Sequence, residues 1–338
     1  MNQETTYSYK DFENSEENRW CPGCGDKSIL RSMQLALPKM GLDKKDVVFI
    51  SGIGCSSRFP YYMNSYGFHT IHGRAAAVAT GVKLANPALS VWEITGDGDS
   101  LAIGTNHFVQ AIRRNININI LLFNNEIYGL TKGQFSPTSH MGLVTKSSPH
   151  GTVDPPFNPG ELCMSSKCTF FARSVDVLPL HMTDVFVEAE KHKGTSVVEL
   201  LQNCVIFNDK VFGHITDKDK RDENMLFLEH GKPMLFGKEK NKGIRLNGLS
   251  LEAVEIGKNG VSMDDILIHD AHANDPVLHA MLIRMNAPEL PVAFGVIRAI
   301  EQPTFDDALL HQVDEQKKSS NVTCVNDLLL NGDTWIAD

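Results

Sequence analysis

Two features carry most of the chemistry open to this 338-residue chain: seven cysteines and a glycine–aspartate turn. Cys21-Pro22-Gly23-Cys24-Gly25 is a tight CxxC turn that can present two thiolates to one centre. Cys55 follows in Gly52-Ile53-Gly54-Cys55-Ser56-Ser57, and Cys204 stands much further along. Four thiolates suit either zinc or a 4Fe–4S cluster. The competing reading makes Cys21 and Cys24 part of a structural zinc site and Cys55 and Cys204 buried hydrophobes. Cys163 and Cys168 rival Cys204 as the fourth ligand, and Cys324 reads as incidental. The glycine–aspartate turn is Gly96-Asp97-Gly98-Asp99-Ser100. Glycines at a strand-to-helix turn let backbone amides approach phosphate. Two aspartates there would repel phosphate unless a hard cation such as Mg²⁺ lay between them. A calcium loop is excluded, because Ala102 and Phe108 occupy the sixth and twelfth positions, which need Gly and a bidentate Glu.

These residues need a scaffold that brings distant turns together. Short β-branched runs at Val47–Ser51, Ser90–Thr95, Ile116–Phe123, Thr169–Ser174 and Thr195–Leu201 predict strands. Helical patterns fall between them at Lys27–Leu37, Ala75–Ala85, Leu101–Arg113 and Met182–His192, the first from the spacing of Ile29, Met33 and Leu37. Such alternation predicts an α/β fold with a mainly parallel sheet and helices on both faces. The carboxyl ends of parallel strands form one rim where ligands bind. Asp97, Asn125, Cys55 and Cys204 each follow a predicted strand, so all four belong on that rim. Phe135–Pro159 is a long loop rich in Pro, Ser, Gly and His that can cover it as a lid. Asp217–Lys242 reads as a solvated linker, with Gly248–Ala271 and Asp275–Asn286 a short extension with helices. The expected division is a cofactor-binding domain over 1–215 and an extension over 216–338, packed on that domain or on a partner.

The formal charge of −9 argues against nucleic acid or an anionic membrane as the main partner. With 42% hydrophobic and 22% charged residues, the composition is that of an ordinary globular protein. The polar start, Met1 to Arg19, lacks a basic and apolar leader, and no apolar run is long enough to span a membrane. A cytoplasmic location is therefore expected, where thiols stay reduced and serve metals rather than disulfides.

Asp97 is followed 28 residues later by Asn125, at the end of a strand. That pattern resembles the thiamine-diphosphate motif, and implies Mg²⁺ held by Asp97, Asn125 and the backbone carbonyl of Ile127. A longer resemblance runs over roughly residues 18–210. It consists of Cys-Pro-Gly-Cys-Gly, Gly-Ile-Gly-Cys-Ser-Ser-Arg, His72-Gly73-Arg74-Ala75, Gly-Asp-Gly-Asp with Ile103-Gly104 and His107, and Asn124-Asn125-Glu126-Ile127-Tyr128-Gly129-Leu130-Thr131-Lys132-Gly133-Gln134. In these strings the chain resembles the β subunits of 2-oxoacid:ferredoxin oxidoreductases, most of all those acting on 2-oxoglutarate.

The resemblance implies that Cys21, Cys24, Cys55 and Cys204 ligate one 4Fe–4S cluster. It implies that thiamine diphosphate and its Mg²⁺ contact Gly54, Cys55, Ser56, Ser57 and His72. The same holds for Gly96, Asp97, Gly98 and Asp99, and for Asn125, Ile127, Gly129 and Leu130. Arg58, His72, Arg74 and Lys132 are the implied active-site cations for a dicarboxylate substrate. The implied reaction is oxidative decarboxylation of 2-oxoglutarate to succinyl-CoA and CO₂, with coenzyme A as co-substrate and ferredoxin as acceptor. Pyruvate or a broader set of 2-oxoacids is the alternative substrate class, and a non-redox thiamine carboligase the alternative activity. Thiamine enzymes also require a carboxylate on the cofactor's aminopyrimidine from a second domain, which implies an α subunit in an αβ or α₂β₂ assembly. The chain departs from the family at Gln202-Asn203, where Ser-Pro is frequent, and at Arg58, where Lys is common.

Overall fold

A computed structural model describes residues 7–335. Eleven strands are assigned among them. They are β1 (Val47–Ser51), β2 (Tyr66–His69), β3 (Ser90–Gly96), β4 (Asn119–Asn124), β5 (Phe170–Val175), β6 (Ser196–Leu201), β7 (Met225–Phe227), β8 (Leu235–Phe236), β9 (Lys242–Asn247), β10 (Ser250–Glu255) and β11 (Val292–Ala299). Eight of them form one sheet in the order β2-β1-β3-β4-β6-β5-β11-β7. All neighbours run parallel except β11 against β5.

Fully buried strands must be apolar on both faces, and the pleat sends alternate residues to opposite sides. Val48 and Ile50 of β1 and Ile120 and Leu122 of β4 enter one core with α2 (below), while Val47, Phe49, Leu121 and Phe123 enter another. The helices are α1 (Asp26–Met40), α2 (Ala75–Ala85), α3 (Thr105–Arg114), α4 (Pro159–Ser165) and α5 (Pro179–Lys191). Ile29, Met33 and Leu37 of α1 and Met182 and Phe186 of α5 fill the second core. Ala76 and Ala79 of α2 and Phe108, Ala111 and Ile112 of α3 fill the first. Helices therefore cover both faces, as the alternation predicts.

Three expectations change in detail. The helix expected over Leu101–Arg113 is broken: Asp99–Ile103 forms a π-helical turn, and α3 begins after Gly104. A Cβ on Gly104 would lie 2.4 Å from the Asp99 carbonyl oxygen, so the close approach requires glycine. The region expected to be linker contains β7, β8 and a single-turn helix, Arg221–Asn224. Gly248–Ala271 holds β10 and a 3-10 turn at Met263–Asp265, while Asp275–Asn286 holds the expected helix, Val277–Arg284. Gly248, at φ +61°, turns β9 back onto β10 with Asn247 opposite Ser250. The proposed boundary at 215 lies between strands of one sheet, because β7 and β11 extend it past β5. No helix among the described residues is long and apolar enough to cross a membrane.

Candidate functional site

From β1 the chain goes to β2 on one side and then crosses to β3 on the other, leaving a crevice above the carboxyl ends of β1, β3 and β4. A cavity of about 460 Å³ occupies it. The β1 turn contributes Gly54, Cys55 and Ser56, and His72 enters from the loop before α2. The β3 turn contributes Gly96, Asp97, Gly98 and Asp99. The β4 end contributes Asn125, Ile127, Gly129 and Leu130, with Tyr128 beside them.

The two aspartates of the β3 turn have different tasks. Asp99 Oδ1 accepts from His72 Nδ1 at 2.7 Å, from the Gly73 amide at 2.7 Å and from the Ile53 amide at 3.1 Å. Thr95 Oγ1 donates to its Oδ2 at 2.8 Å. One buried carboxylate thus ties three strand-end loops together and turns the other His72 nitrogen outward. A Cβ on Gly52 would lie 1.8 Å from Asp99 Oδ2, so that knot needs a glycine opposite. Asp97 Oδ2 accepts from Ser136 Oγ and Thr138 Oγ1, each at 2.6 Å. Burial still pushes the Asp97 carboxyl up to about 6. Thr138 Oγ1 also lies 3.0 Å from Asn124 Oδ1, and Asn124 Nδ2 donates to Glu199 at 2.9 Å. Glu199 in turn receives Arg173 Nε at 2.7 Å, an ion pair buried within the sheet. Ser139 donates to the Glu126 carbonyl, and His140 Nε2 lies 2.9 Å from Glu126 Oε2 without hydrogen-bond alignment. The start of the Phe135–Pro159 loop is therefore anchored to the β3 and β4 ends, while Met141, Val144 and Val153 further along it are exposed.

Asn125 Nδ2 donates to Gln202 Oε1 at 2.7 Å, and the Ile127 amide donates to Asn125 Oδ1 at 3.2 Å. Tyr128 lies across the turn and donates to the Gly98 carbonyl at 2.8 Å; a Cβ on Gly98 would meet its ring at 2.2 Å. Burial pushes the Tyr128 phenol up to about 12.

The cysteines divide as their positions in the sheet dictate. A Cβ on Gly129 would stand 3.5 Å from both Cys55 Sγ and Cys204 Sγ. Burial, then the charge of Asp26 and the neighbouring thiols of Cys204 and Cys21, pushes Cys55 up to about 12. Burial, then Asp26, also raises Cys24, with Cys55 and Cys204 contributing. Cys21 is exposed. The rivals Cys163 and Cys168 lie in the first core, beneath the sheet, where Cys168 Sγ donates to the Phe170 carbonyl at 2.8 Å. Among the described residues, no three His, Cys, Asp or Glu side chains converge on a point that would hold a single metal ion.

Other expected site residues lie outside the cavity. Ser57 is buried beneath it, and its carbonyl accepts from Ser51 Oγ at 2.8 Å. Arg58 lines an adjoining polar pocket of about 370 Å³ with Arg19, Tyr61 and His69. Arg74 Nη1 donates to the Gly73 and Ile103 carbonyls at 3.2 and 3.4 Å. Lys132 is exposed at φ +76°. The sequence reading missed Ser136, Thr138, Gln202 and Tyr128. Tyr128 stood inside a recognised string and Gln202 at a noted departure from the family; the hydroxyl pair in Ser136-Pro137-Thr138 was the available signal for its loop.

The family described as "Thiamine pyrophosphate enzyme, C-terminal TPP binding domain" matches residues 52–200. The 2-oxoglutarate oxidoreductase subunit KorB of Mycobacterium tuberculosis is 47% identical, across 97% of this chain and 88% of that one. The 2-oxoacid:ferredoxin oxidoreductase subunit beta of Saccharolobus solfataricus is 47% identical over 57% of this chain and 64% of its own. A solved structure, the 2-oxoglutarate:ferredoxin oxidoreductase of Magnetococcus marinus with 2-oxoglutarate, coenzyme A and succinyl-CoA bound, superposes with a TM-score of 0.78. It is 29% identical and covers 98% of both chains.

Proposed function

The chain belongs to the β-subunit family of 2-oxoacid:ferredoxin oxidoreductases, and on that footing we propose that it catalyses the CoA-dependent oxidative decarboxylation of 2-oxoglutarate to succinyl-CoA. The observation that carries this reading is the cavity at the sheet crevice, where a thiamine-type donor set adjoins a group of cysteines. Asp97, the Asn125 amide oxygen and the Ile127 carbonyl are hard oxygen donors of the kind Mg²⁺ selects. They fit a diphosphate-bound Mg²⁺, with the Gly98 and Asp99 turn facing the phosphates. Thiamine diphosphate, when bound, supplies the electron sink that lets CO₂ leave. Cys21, Cys24, Cys55 and Cys204 would hold a 4Fe–4S cluster that passes electrons singly to ferredoxin. Burial, then the Asp26 charge, raises the Cys24 and Cys55 thiols, and a cationic centre beside them would favour their ionisation.

The chain's own residues orient and neutralise. Asp99 holds the His72 ring at the cavity wall through Nδ1. Arg58, in the pocket that shares Gly54 and Leu130 with the cavity, offers a guanidinium to a substrate carboxylate. Arg74 and Lys132 complete the cationic rim. Asp97 and Asp99 are the only carboxylates on the cavity wall among the described residues, and both are committed. A carboxylate for the aminopyrimidine then comes from an α subunit, in an αβ or α₂β₂ assembly. The reduced thiols fit the cytoplasm.

Anaerobic purification with the partner subunit, iron and sulfide analysis, and a panel of 2-oxoacids with a viologen acceptor test the reading. Brown protein that oxidises 2-oxoglutarate only with CoA present is expected. Preference for pyruvate overturns the substrate, and colourless protein that still binds thiamine diphosphate turns the reading towards a carboligase.

A further inference from the structure

One side chain joins the two cofactor regions. Gln202, only 1% exposed, directly follows β6. Its Oε1 accepts from Asn125 Nδ2 at 2.7 Å. Its Nε2 carries two protons and donates one to Cys24 Sγ at 3.5 Å and the other to the Asn203 carbonyl. Each polar atom of the amide is thereby used, which fixes its orientation: the reverse flip would set Oε1 against the carbonyl and the sulfur. The same bond fixes Asn125, whose NH₂ faces Gln202 and whose oxygen is left for the metal. Close approach is built into the backbone, since a Cβ on Gly25 would lie 2.9 Å from Gln202 Cγ.

We propose that Gln202 is a positioning residue that couples the Mg²⁺ ligand Asn125 to the cluster ligand Cys24 through a two-bond amide relay. The inference rests on the cofactor reading above. An N–H donated to a ligand sulfur stabilises the extra negative charge of the reduced cluster, so it raises the reduction potential. Mg²⁺ on Asn125 Oδ1 draws electron density from that amide, and strengthens its N–H donation to Gln202. Polarisation then passes along the chain to the Nε2–H on sulfur. The cluster accepts electrons more readily when the diphosphate site is filled, and by linkage a reduced cluster holds Mg²⁺–thiamine diphosphate more tightly.

The experiment is a redox titration followed by electron paramagnetic resonance, on enzyme purified anaerobically with its partner subunit. Wild type and Gln202→Met, which keeps the volume and removes both amide groups, are each compared with and without Mg²⁺–thiamine diphosphate. The expected results are a lower cluster midpoint in Gln202→Met, a smaller rise on loading, and about tenfold weaker retention of thiamine diphosphate. An unchanged midpoint in the variant overturns the proposal. If the variant does not fold, wild type decides alone: a midpoint that ignores cofactor loading also overturns it. Wild-type protein without iron defeats the functional reading itself, whereas iron present with an unmoved midpoint defeats only the relay.

Discussion

The two ends of the rim are finished to different degrees. Around Asp97 the polar groups are partnered: Ser136 and Thr138 hold the carboxylate, and Asn124, Glu199 and Arg173 continue the chain into the sheet. Around Cys24 they are not. Both carboxylate oxygens of buried Asp26 lack a partner, and burial pushes that carboxyl up to about 7. Cys24 and Cys55 are held as thiols. A buried group left without a hydrogen bond costs about 1–3 kcal/mol, more if charged. The diphosphate end is therefore preorganised by protein alone, while the cysteine end keeps unpartnered and raised groups that the proposed cluster would balance.

The sharpest test of that contrast is Cys55→Ser. It should abolish the visible absorbance and iron content, whereas Cys163→Ala, beneath the sheet, should retain both; equal iron in the two proteins would break the assignment. Next comes Asp97→Ala, expected to weaken Mg²⁺-dependent binding of thiamine diphosphate by about 100-fold or more while the cluster stays, read by calorimetry and absorbance. If the cluster is lost as well, the two ends are one folding unit rather than two independently built sites. Ser136→Ala with Thr138→Val leaves the donor itself in place, and should cost about 10–100-fold in Mg²⁺ affinity with little change in iron.

The smallest effect concerns a buried carboxylate on the better-partnered side. Glu93 Oε2 is buried without a partner, and burial, then Asp99, pushes this carboxyl up to about 8. Between an unfolded value of about 4.5 and that folded value, the native state binds more protons. Its contribution to stability therefore falls as pH rises across that window. Glu93→Gln should melt higher than wild type at pH 8.5 and gain little at pH 5. Equal gains at both values would show that the carboxyl is not titrating there.

What was legible in the sequence was local. Runs such as Val47–Ser51 declare buried strands, and a glycine–aspartate turn after a strand declares a cavity at the strand ends. Cys204 was separable from Cys163 only by topology, because β6 delivers it beside Cys55 while α4 carries Cys163 under the sheet. Ser136 and Thr138 lie about forty residues from Asp97, and Gln202 lies further from Asn125. Such partners leave no periodicity to read. The π-helical turn at Asp99–Ile103 escaped for another reason: its residues fit a regular helix, and the demand of Asp99 for three loops sets the backbone.

The antiparallel seam between β5 and β11 bears on how this protein is made. Gly295 of β11 sits opposite Arg173 of β5, and β7 in turn depends on β11. On the ribosome every other strand of the large sheet emerges before β11, so β5 waits as an open edge while more than a hundred residues are translated. Release from the ribosome short of residue 299 would leave that edge bare. Nascent chains stalled at 215 should then aggregate or recruit chaperones, and those stalled beyond about 335 should not, since the exit tunnel must first be cleared by the closing strand.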